Sequence, residues 1–147
     1  MTGHGLIEGA DVGADLALRI VAAVHDQGER MGLYFAAVVT DRGGHVVAAA
    51  RMDGAPLGAL PVATDKAYTA ALWGTTTGSM GPATTPGQED WGFANAIGGR
   101  MVVFAGGVPI VSEGTLVGAL GISGALSSED EAAALAALAS VGLPYAG

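Results

Sequence analysis

The chain has 147 residues, of which half are hydrophobic, 25 are glycine and none is cysteine. Fourteen acidic against six basic residues give a formal net charge of −8. This charge disfavours nucleic acid and anionic membranes as partners, because both require an excess of lysine and arginine. The lack of cysteine excludes disulfides, thiolate catalysis and thiolate metal sites. No apolar run approaches the roughly 20 residues that cross a bilayer. Because 147 residues are too few for two ordinary domains, we expect one globular domain over 1–147.

The scarcity of polar residues predicts that some apolar surface is covered between subunits, which favours a homo-oligomer. The first residues lack the basic start and apolar stretch of a signal peptide, so a cytoplasmic location is the default expectation.

The first half of the chain predicts a helix, a hairpin and a second helix. Asp11 to Met31 carries apolar residues four positions apart, which is typical of a helix with one buried face. Tyr34 to Thr40 and Val46 to Arg51 are strand-like runs, joined by a turn with paired glycines. Pro61 is well placed to open a second helix that runs to about Trp73.

The middle of the chain is less regular. Thr75 to Gly87 has no helical or strand period, which makes it the most mobile segment by composition and a candidate lid or subunit arm. Gln88 to Ile97 predicts a short helix, and Met101 to Ala105 predicts a third strand.

The last third of the chain predicts a hairpin and a helix. Val108 to Ser112 and Leu116 to Ser123 are separated by a glycine-containing turn. One face of the second strand carries little but alanine, glycine and serine, so a helix, or less commonly a flat ligand, can approach its backbone closely. Ser128 to Ser140 predicts a final helix. Its Ser128 and Glu131 have the spacing of a capping box, so the acidic residues around them suit the helix start and not a metal site.

This order of elements predicts an α+β fold, a five-stranded antiparallel sheet covered by helices. Six separated segments then resemble the GlcG/HbpS-like family, which also includes the C-terminal domain of PduO-type proteins. The segments are Val39 to Gly44, Arg51 to Ala55, Lys66 to Ala70, Gly106 to Ile110, Gly118 to Ala125, and Glu129-Asp130. The resemblance implies a profilin-like fold, assembly from dimers to octamers, and haem or corrinoid binding in several relatives. It implies no single activity.

Lys66, Arg51 and Asp53 are the candidate catalytic residues. Lys66 is the only lysine and lies on an apolar stripe of the second predicted helix, where burial would lower its pKa and make it a base, a nucleophile or a carboxylate anchor. Arg51 and Asp53 alternate at a strand end, so in extended backbone both point to one side. The alternative is structural: Lys66 pairs with Asp41, Asp53 or a backbone carbonyl and ties the helix to the sheet.

His25, His45 and Trp91 are the candidate cofactor contacts. His25 precedes Glu29 by four residues, which fits either an exposed helix pair or an axial haem ligand. His45 follows the first hairpin turn and is expected to face solvent unless a ligand engages it. Trp91 follows the irregular loop, where it either closes over a ligand or packs on the core or a neighbouring subunit. No pair of histidines is spaced for zinc and no acidic loop suits calcium, so no metal site is predicted.

Two functions from different classes follow. The first is a small-ligand-binding protein of the GlcG/HbpS-like type that holds haem or a corrinoid. The alternative is a cofactor-independent lyase, isomerase or hydrolase acting on a small oxygenated acid or carbonyl compound, with Lys66, Arg51 and Asp53 anchoring the substrate and moving protons. A purely structural assembly protein is a third possibility.

Overall fold

A computed structural model describes residues 5–147. His4, which was not a candidate for the site, lies outside the described residues. The helices are α1 (Ala14–Met31), α2 (Ala59–Trp73), α3 (Ala96–Gly99) and α4 (Ser127–Ser140), and the strands are β1 (Ala36–Thr40), β2 (Val46–Arg51), β3 (Gly107–Ser112) and β4 (Thr115–Ser123). Among residues 5–147, no helix combines the length and the apolar character needed to cross a bilayer.

The four strands form one antiparallel sheet in the order β2-β1-β4-β3. Both predicted hairpins are present, and the long-range pairing of β1 with β4 joins them. In that central pairing Ala36 lies opposite Ser123, while on its other side Ala36 lies opposite Arg51. The end of β2, the start of β1 and the end of β4 therefore lie side by side at the same end of the sheet.

The α+β class is confirmed, but the predicted fifth strand, Met101 to Ala105, is wrong. Its backbone groups are bound by threonine side chains instead of by a neighbouring strand. The Val102 N–H donates to Thr69 Oγ1 (3.0 Å), and Thr77 Oγ1 donates to the Phe104 carbonyl (2.6 Å). Once these hydroxyls satisfy the backbone, this apolar segment runs alongside α2 without joining the sheet.

Helices cover both faces of the sheet, and the two faces differ in side-chain size. The larger core lies between the sheet and helices α1 and α4, with Val39, Leu120 and Ile122 among its buried residues. Helix α2 packs on the opposite face, where Ala36 and Val38 meet alanines of the helix.

The small-residue face of β4 receives α2, the more common of the two predicted outcomes. A Cβ atom on Gly121 would collide with the Ala63 carbonyl oxygen and would lie 2.6 Å from Ala67 N. Ala119 is buried against the next turn of the same helix. The lack of side chains on this face therefore sets how closely α2 approaches the sheet.

Helix α4 begins one residue earlier than predicted, at Ser127, and its capping is different. Glu129, not Glu131, reaches back, and its carboxylate accepts the Leu126 N–H (3.1 Å). Asp130 accepts the Ala125 N–H (3.1 Å) through one oxygen. Ser128 and Glu131 therefore do not form the predicted capping box, because Glu129 and Asp130 accept the free N–H groups before the helix.

The predicted helix over Gln88 to Ile97 is wrong. The region between α2 and β3 contains single 3₁₀ turns, Gly78–Met80, Pro82–Thr84 and Phe93–Asn95, followed by the four-residue α3. Gly92 has a φ of 89° and Ile97 a φ of 51°, and these left-handed residues prevent a continuous helix. Buried Thr77 holds the start of this region, since its Oγ1 accepts the Gly107 N–H (2.9 Å).

Candidate functional site

A cavity of about 440 Å³ lies where α1 passes the end of β2 and the start of β1. Its lining residues are His25, Glu29, Tyr34, Arg51, Met52 and Asp53. This volume is within the range of small-molecule sites in proteins. Three of the six predicted site residues, His25, Arg51 and Asp53, therefore line one cavity.

Local structure explains why these side chains meet. His25 and Glu29 are one helical turn apart on α1, so they lie on the same side of the helix. Beyond Arg51, the chain remains tied to the neighbouring strand, because the Met52 N–H donates to the Phe35 carbonyl (2.8 Å). Asp53 then lies in the turn in which the Ala55 N–H donates to the Met52 carbonyl (3.1 Å), and it lines the same cavity as Arg51.

Met52 forms the inner wall of the cavity. Its Sδ accepts the Phe35 N–H (3.2 Å). On the helix side, Gly28 leaves room for the thioether, because a Cβ there would lie 2.7 Å from Met52 Sδ. The sulfur is therefore packed between α1 and β1, and the residues on either side of Met52 are directed to the cavity.

His25 carries the most informative atom of the site. Its Nε2 is buried and has no hydrogen-bond partner within residues 5–147. The predicted pair between His25 and Glu29 is not formed among the ion pairs of the described residues. A buried polar atom without a partner costs about 1–3 kcal/mol, so a group from outside the chain would stabilise this nitrogen.

The cavity has a mixed charge. Arg51, Glu29 and Asp53 all line it, and none of the three takes part in an ion pair in the part of the chain that the structure describes. Arg51 is exposed. Its planar fork of donors is suited to a carboxylate of a ligand.

Lys66 lies elsewhere. Its Nζ is 2.8 Å from Asp130 Oδ2 and donates to the Ile122 carbonyl (2.9 Å), and the lysine is only 1% exposed. Lys66 does not line the cavity of Arg51 and Asp53, so the predicted convergence of these three residues is not observed. The structural alternative is closer to what is observed: Lys66 donates to a backbone carbonyl, as that alternative allowed, but its carboxylate partner is Asp130 and not Asp41 or Asp53.

Burial governs the titration of this pair. It lowers the pKa of Lys66, and the hydrogen bond and charge of Asp130 oppose that change. It raises the pKa of Asp130, against the opposing effect of Lys66 and the Ala125 N–H. Asp130 was not predicted as the partner of Lys66, because the start of α4 already accounts for an acidic residue at that position.

His45 and Trp91 are separate from the cavity. The side chain of His45 is 81% exposed, and its Nδ1 is 3.1 Å from Asp41, whose carboxylate also accepts backbone N–H groups of the first hairpin turn. Trp91 is 66% exposed. Neither residue lies beside His25, so the three predicted cofactor contacts do not form one site within a single chain.

The chain is similar in sequence to several known proteins. A family model described as "Haem degrading protein HbpS-like" matches residues 12–139. A 15.0 kDa protein from the dhaT-dhaS intergenic region of Citrobacter freundii is 34% identical over 100 residues, which cover 68% of this chain and 70% of that protein. Protein GlcG of Escherichia coli K12 is 33% identical over 115 residues, which cover 74% and 78%.

The chain also matches part of a larger enzyme. Corrinoid adenosyltransferase PduO of Citrobacter freundii is 34% identical over 103 residues, which cover 70% of this chain and 31% of the enzyme. The chain thus spans about a third of that protein's length.

Solved structures share the whole fold. Protein ORFY of Klebsiella pneumoniae superposes with a TM-score of 0.91 at 26% identity, covering 95% of this chain and 96% of that one. The PduOC:heme complex gives 0.85 at 28% identity, covering 91% and 96%. HbpS gives 0.82 at 26% identity, covering 97% and 98%. With a family model that spans most of its length, the chain belongs to the HbpS-like family.

Proposed function

We propose that this protein binds haem in the cavity lined by His25, Tyr34, Arg51 and Asp53. The observation that carries the proposal is the buried Nε2 of His25, which has no partner within residues 5–147. An imidazole nitrogen is a common axial ligand of haem iron, and the Nε2 of His25 is not engaged by another group of the described chain.

The other residues of the cavity fit a flat ligand with carboxylates. Arg51 is free of ion pairs in the described chain and would bind a propionate. The ring of Tyr34 and the side chain of Met52 offer apolar contact to the macrocycle. Haem, when bound, would supply an iron whose axial positions accept such protein ligands.

The relatives support the same ligand class. The matching family model carries the description of a haem-degrading protein, and one superposable structure is a complex of PduOC with heme. A corrinoid is the second member of this ligand class, since another relative is a corrinoid adenosyltransferase. Its adenosyltransferase activity belongs to a protein about three times longer than the matched segment.

The alternative function, a cofactor-independent enzyme acting on a small oxygenated acid or carbonyl compound, has less support. It required Lys66 to act with Arg51 and Asp53. The ammonium of Lys66 is instead engaged by Asp130 and the Ile122 carbonyl, away from the cavity.

Haemin titration followed by the Soret band tests the proposal. We expect saturable binding by the unmodified protein, and at least about tenfold weaker binding with a changed Soret position for His25→Ala, because the axial nitrogen is lost. His45→Ala is the matched control, since it removes an exposed imidazole far from the cavity. Unchanged binding by His25→Ala, or equal losses in both variants, would contradict the proposal.

A further inference from the structure

A second cavity, of about 270 Å³, lies between the end of α2 and the irregular segment that follows it. It shares no lining residue with the His25 cavity. Its walls are Trp73, Met80, Ala83, Thr84, Asp90 and Phe93. They combine two aromatic rings, a thioether and one carboxylate.

The aromatic wall is formed by Trp73 and Phe93. The ring centroids are 5.3 Å apart and the planes meet at 69°, an edge-to-face contact. Trp73 is the last residue of α2, and Gly74 then turns the chain with a left-handed φ of 66°. The indole is 47% exposed although it packs against Phe93, so part of its surface remains available to a ligand.

Asp90 has a fixed backbone and an unengaged side chain. Its N–H donates to the Ala83 carbonyl (3.0 Å), and its carbonyl accepts the Phe93 N–H (2.9 Å), so both cavity walls hold it. Its carboxylate takes part in none of the side-chain hydrogen bonds or ion pairs found within residues 5–147. The aspartate is exposed and therefore keeps its ordinary hydration until a ligand arrives.

Aromatic faces beside a free carboxylate are the features that bind organic cations. A cation within about 6 Å of an indole ring is attracted by the negative face of the ring, and a carboxylate adds a Coulombic contribution. The formal charge of −8 on the chain also favours approach of a cation. The cavity volume of about 270 Å³ lies near the lower end of the roughly 300–1,000 Å³ range of ligand pockets, which limits the ligand to a small molecule.

We propose that this cavity binds a small organic cation, a substituted ammonium, with Trp73 and Phe93 as the aromatic wall and Asp90 as the counter-charge. The site is independent of the haem proposal, because it uses different residues and different chemistry. It also gives a role to the segment between α2 and β3, whose 3₁₀ turns supply Met80 and Phe93.

Tryptophan fluorescence with choline as the probe tests this site. The chain has two tryptophans, so Trp91→Phe leaves Trp73 as the only reporter. We expect choline chloride to change this emission saturably, with sodium chloride holding the ionic strength constant. The neutral isostere 3,3-dimethyl-1-butanol should bind at least about tenfold more weakly than choline, because it lacks the positive charge.

Two neighbouring carboxylates provide matched variants. Asp90→Asn should weaken choline binding about tenfold, whereas Glu89→Gln should leave it unchanged because Glu89 does not line the cavity. Calorimetry on the chain with both tryptophans checks that Trp91→Phe has not altered the site. The proposal is overturned by equal affinity for choline and the neutral alcohol, by equal effects of the two variants, or by no saturable binding of choline.

Discussion

Lys66 and Asp130 connect two helices that lie on opposite faces of the sheet. The lysine side chain passes the end of the sheet beside Gly106, where a Cβ would lie 2.5 Å from Nζ and 2.9 Å from the Cδ of the lysine. Gly106 also has a φ of 128°, which side chains rarely adopt. The route of the lysine therefore depends on glycine at this position.

Removing one partner of this pair should be strongly destabilising. Lys66→Met leaves Asp130 buried without its cation, and we expect a loss of about 3–5 kcal/mol in the free energy of unfolding, measured with urea. Lys66→Met/Asp130→Asn should recover much of this loss, because the amide is neutral and its oxygen still accepts the Ala125 N–H. A loss below about 1 kcal/mol in the single variant would contradict a buried ionic contact.

The cost of Lys66→Met should depend on pH. Burial raises the pKa of Asp130, and without the lysine nothing opposes this change except the Ala125 N–H. Between the unfolded pKa of 3.8 and the raised folded pKa, the folded variant holds a proton that the unfolded chain has released. The variant therefore gains stability relative to the unmodified protein as pH falls through this folded pKa. Urea unfolding over a pH series from neutral towards the unfolded pKa checks this, and a constant difference would contradict it.

The charges of the His25 cavity should tune the affinity for haemin. Haemin carries two propionates, and the cavity offers Arg51 against the carboxylates of Glu29 and Asp53. We expect Asp53→Asn to strengthen haemin binding a few-fold and Arg51→Ala to weaken it by about as much, since both groups are solvent-exposed and screened. Soret titrations at low and at high salt measure both effects. If Asp53→Asn weakened haemin binding and Arg51→Ala strengthened it, the propionates would not lie beside these residues.

Single residues were predictable where the chain itself brings them together. Arg51 and Asp53 are two positions apart, so the sequence placed them near one another, although Asp53 lies in the turn after β2 and not in the strand itself. His25 joins them only because α1 packs beside β2, a tertiary contact that no local pattern contains. The Lys66 partner was missed for the same reason, since Asp130 lies 64 positions further along the chain.

At the scale of elements, the approach of α2 to β4 should be the least tolerant packing contact. The methyl group of Gly121→Ala would overlap the Ala63 carbonyl oxygen and the Ala67 backbone nitrogen. Neither atom can move without shifting α2. We expect a loss of about 1–3 kcal/mol or more in the free energy of unfolding.

Gly58→Ala is the matched control for that experiment. Gly58 lies at the start of the same helix, has an ordinary negative φ of −77°, and an added Cβ there would meet nothing within 4 Å. Urea unfolding should show a change within about 0.5 kcal/mol for this variant. Similar costs at the two glycines would mean that the close contact between α2 and β4 does not set the effect.

Element prediction succeeded where periodicity and glycine agreed. The four-residue spacing in α1 and the glycine turns of both hairpins gave boundaries within a few residues. Met101 to Ala105 has an apolar strand-like pattern, but the hydroxyls of Thr69 and Thr77 bind its backbone. Side-chain competition of this kind leaves no periodic signal in the sequence.

At the scale of the whole molecule, exposed apolar side chains support self-association. Leu57 and Leu126 are 78% and 70% exposed, and their chain neighbours line one shallow cavity between α2 and the end of β4. We expect a homo-oligomer, in the dimer-to-octamer range, whose mass by light scattering is a multiple of 14.4 kDa.

A charge at this apolar surface should weaken the assembly. Leu126→Glu is expected to lower the mass in light scattering while leaving the circular dichroism unchanged, because the side chain is exposed in the single chain. Glu113→Gln, at the distant β3–β4 turn, is a control that should not alter the mass. A monomeric unmodified protein would contradict the expectation of an oligomer.

The overall architecture was largely predictable because six short segments together identified the family, and the α+β class followed from the order of elements. The sheet order was not contained in any one segment. It arises from the pairing of β1 with β4, which joins two hairpins formed by distant parts of the chain.

The unequal faces of the sheet also bear on how the chain folds. Alanine and glycine lose no rotamer freedom when they pack, whereas the leucine, isoleucine and valine residues facing α1 and α4 lose some and gain much more from leaving water. The branched side therefore supplies most of the drive for collapse. The α2 layer contributes less branched apolar burial and depends more on the close fit of its backbone to β4.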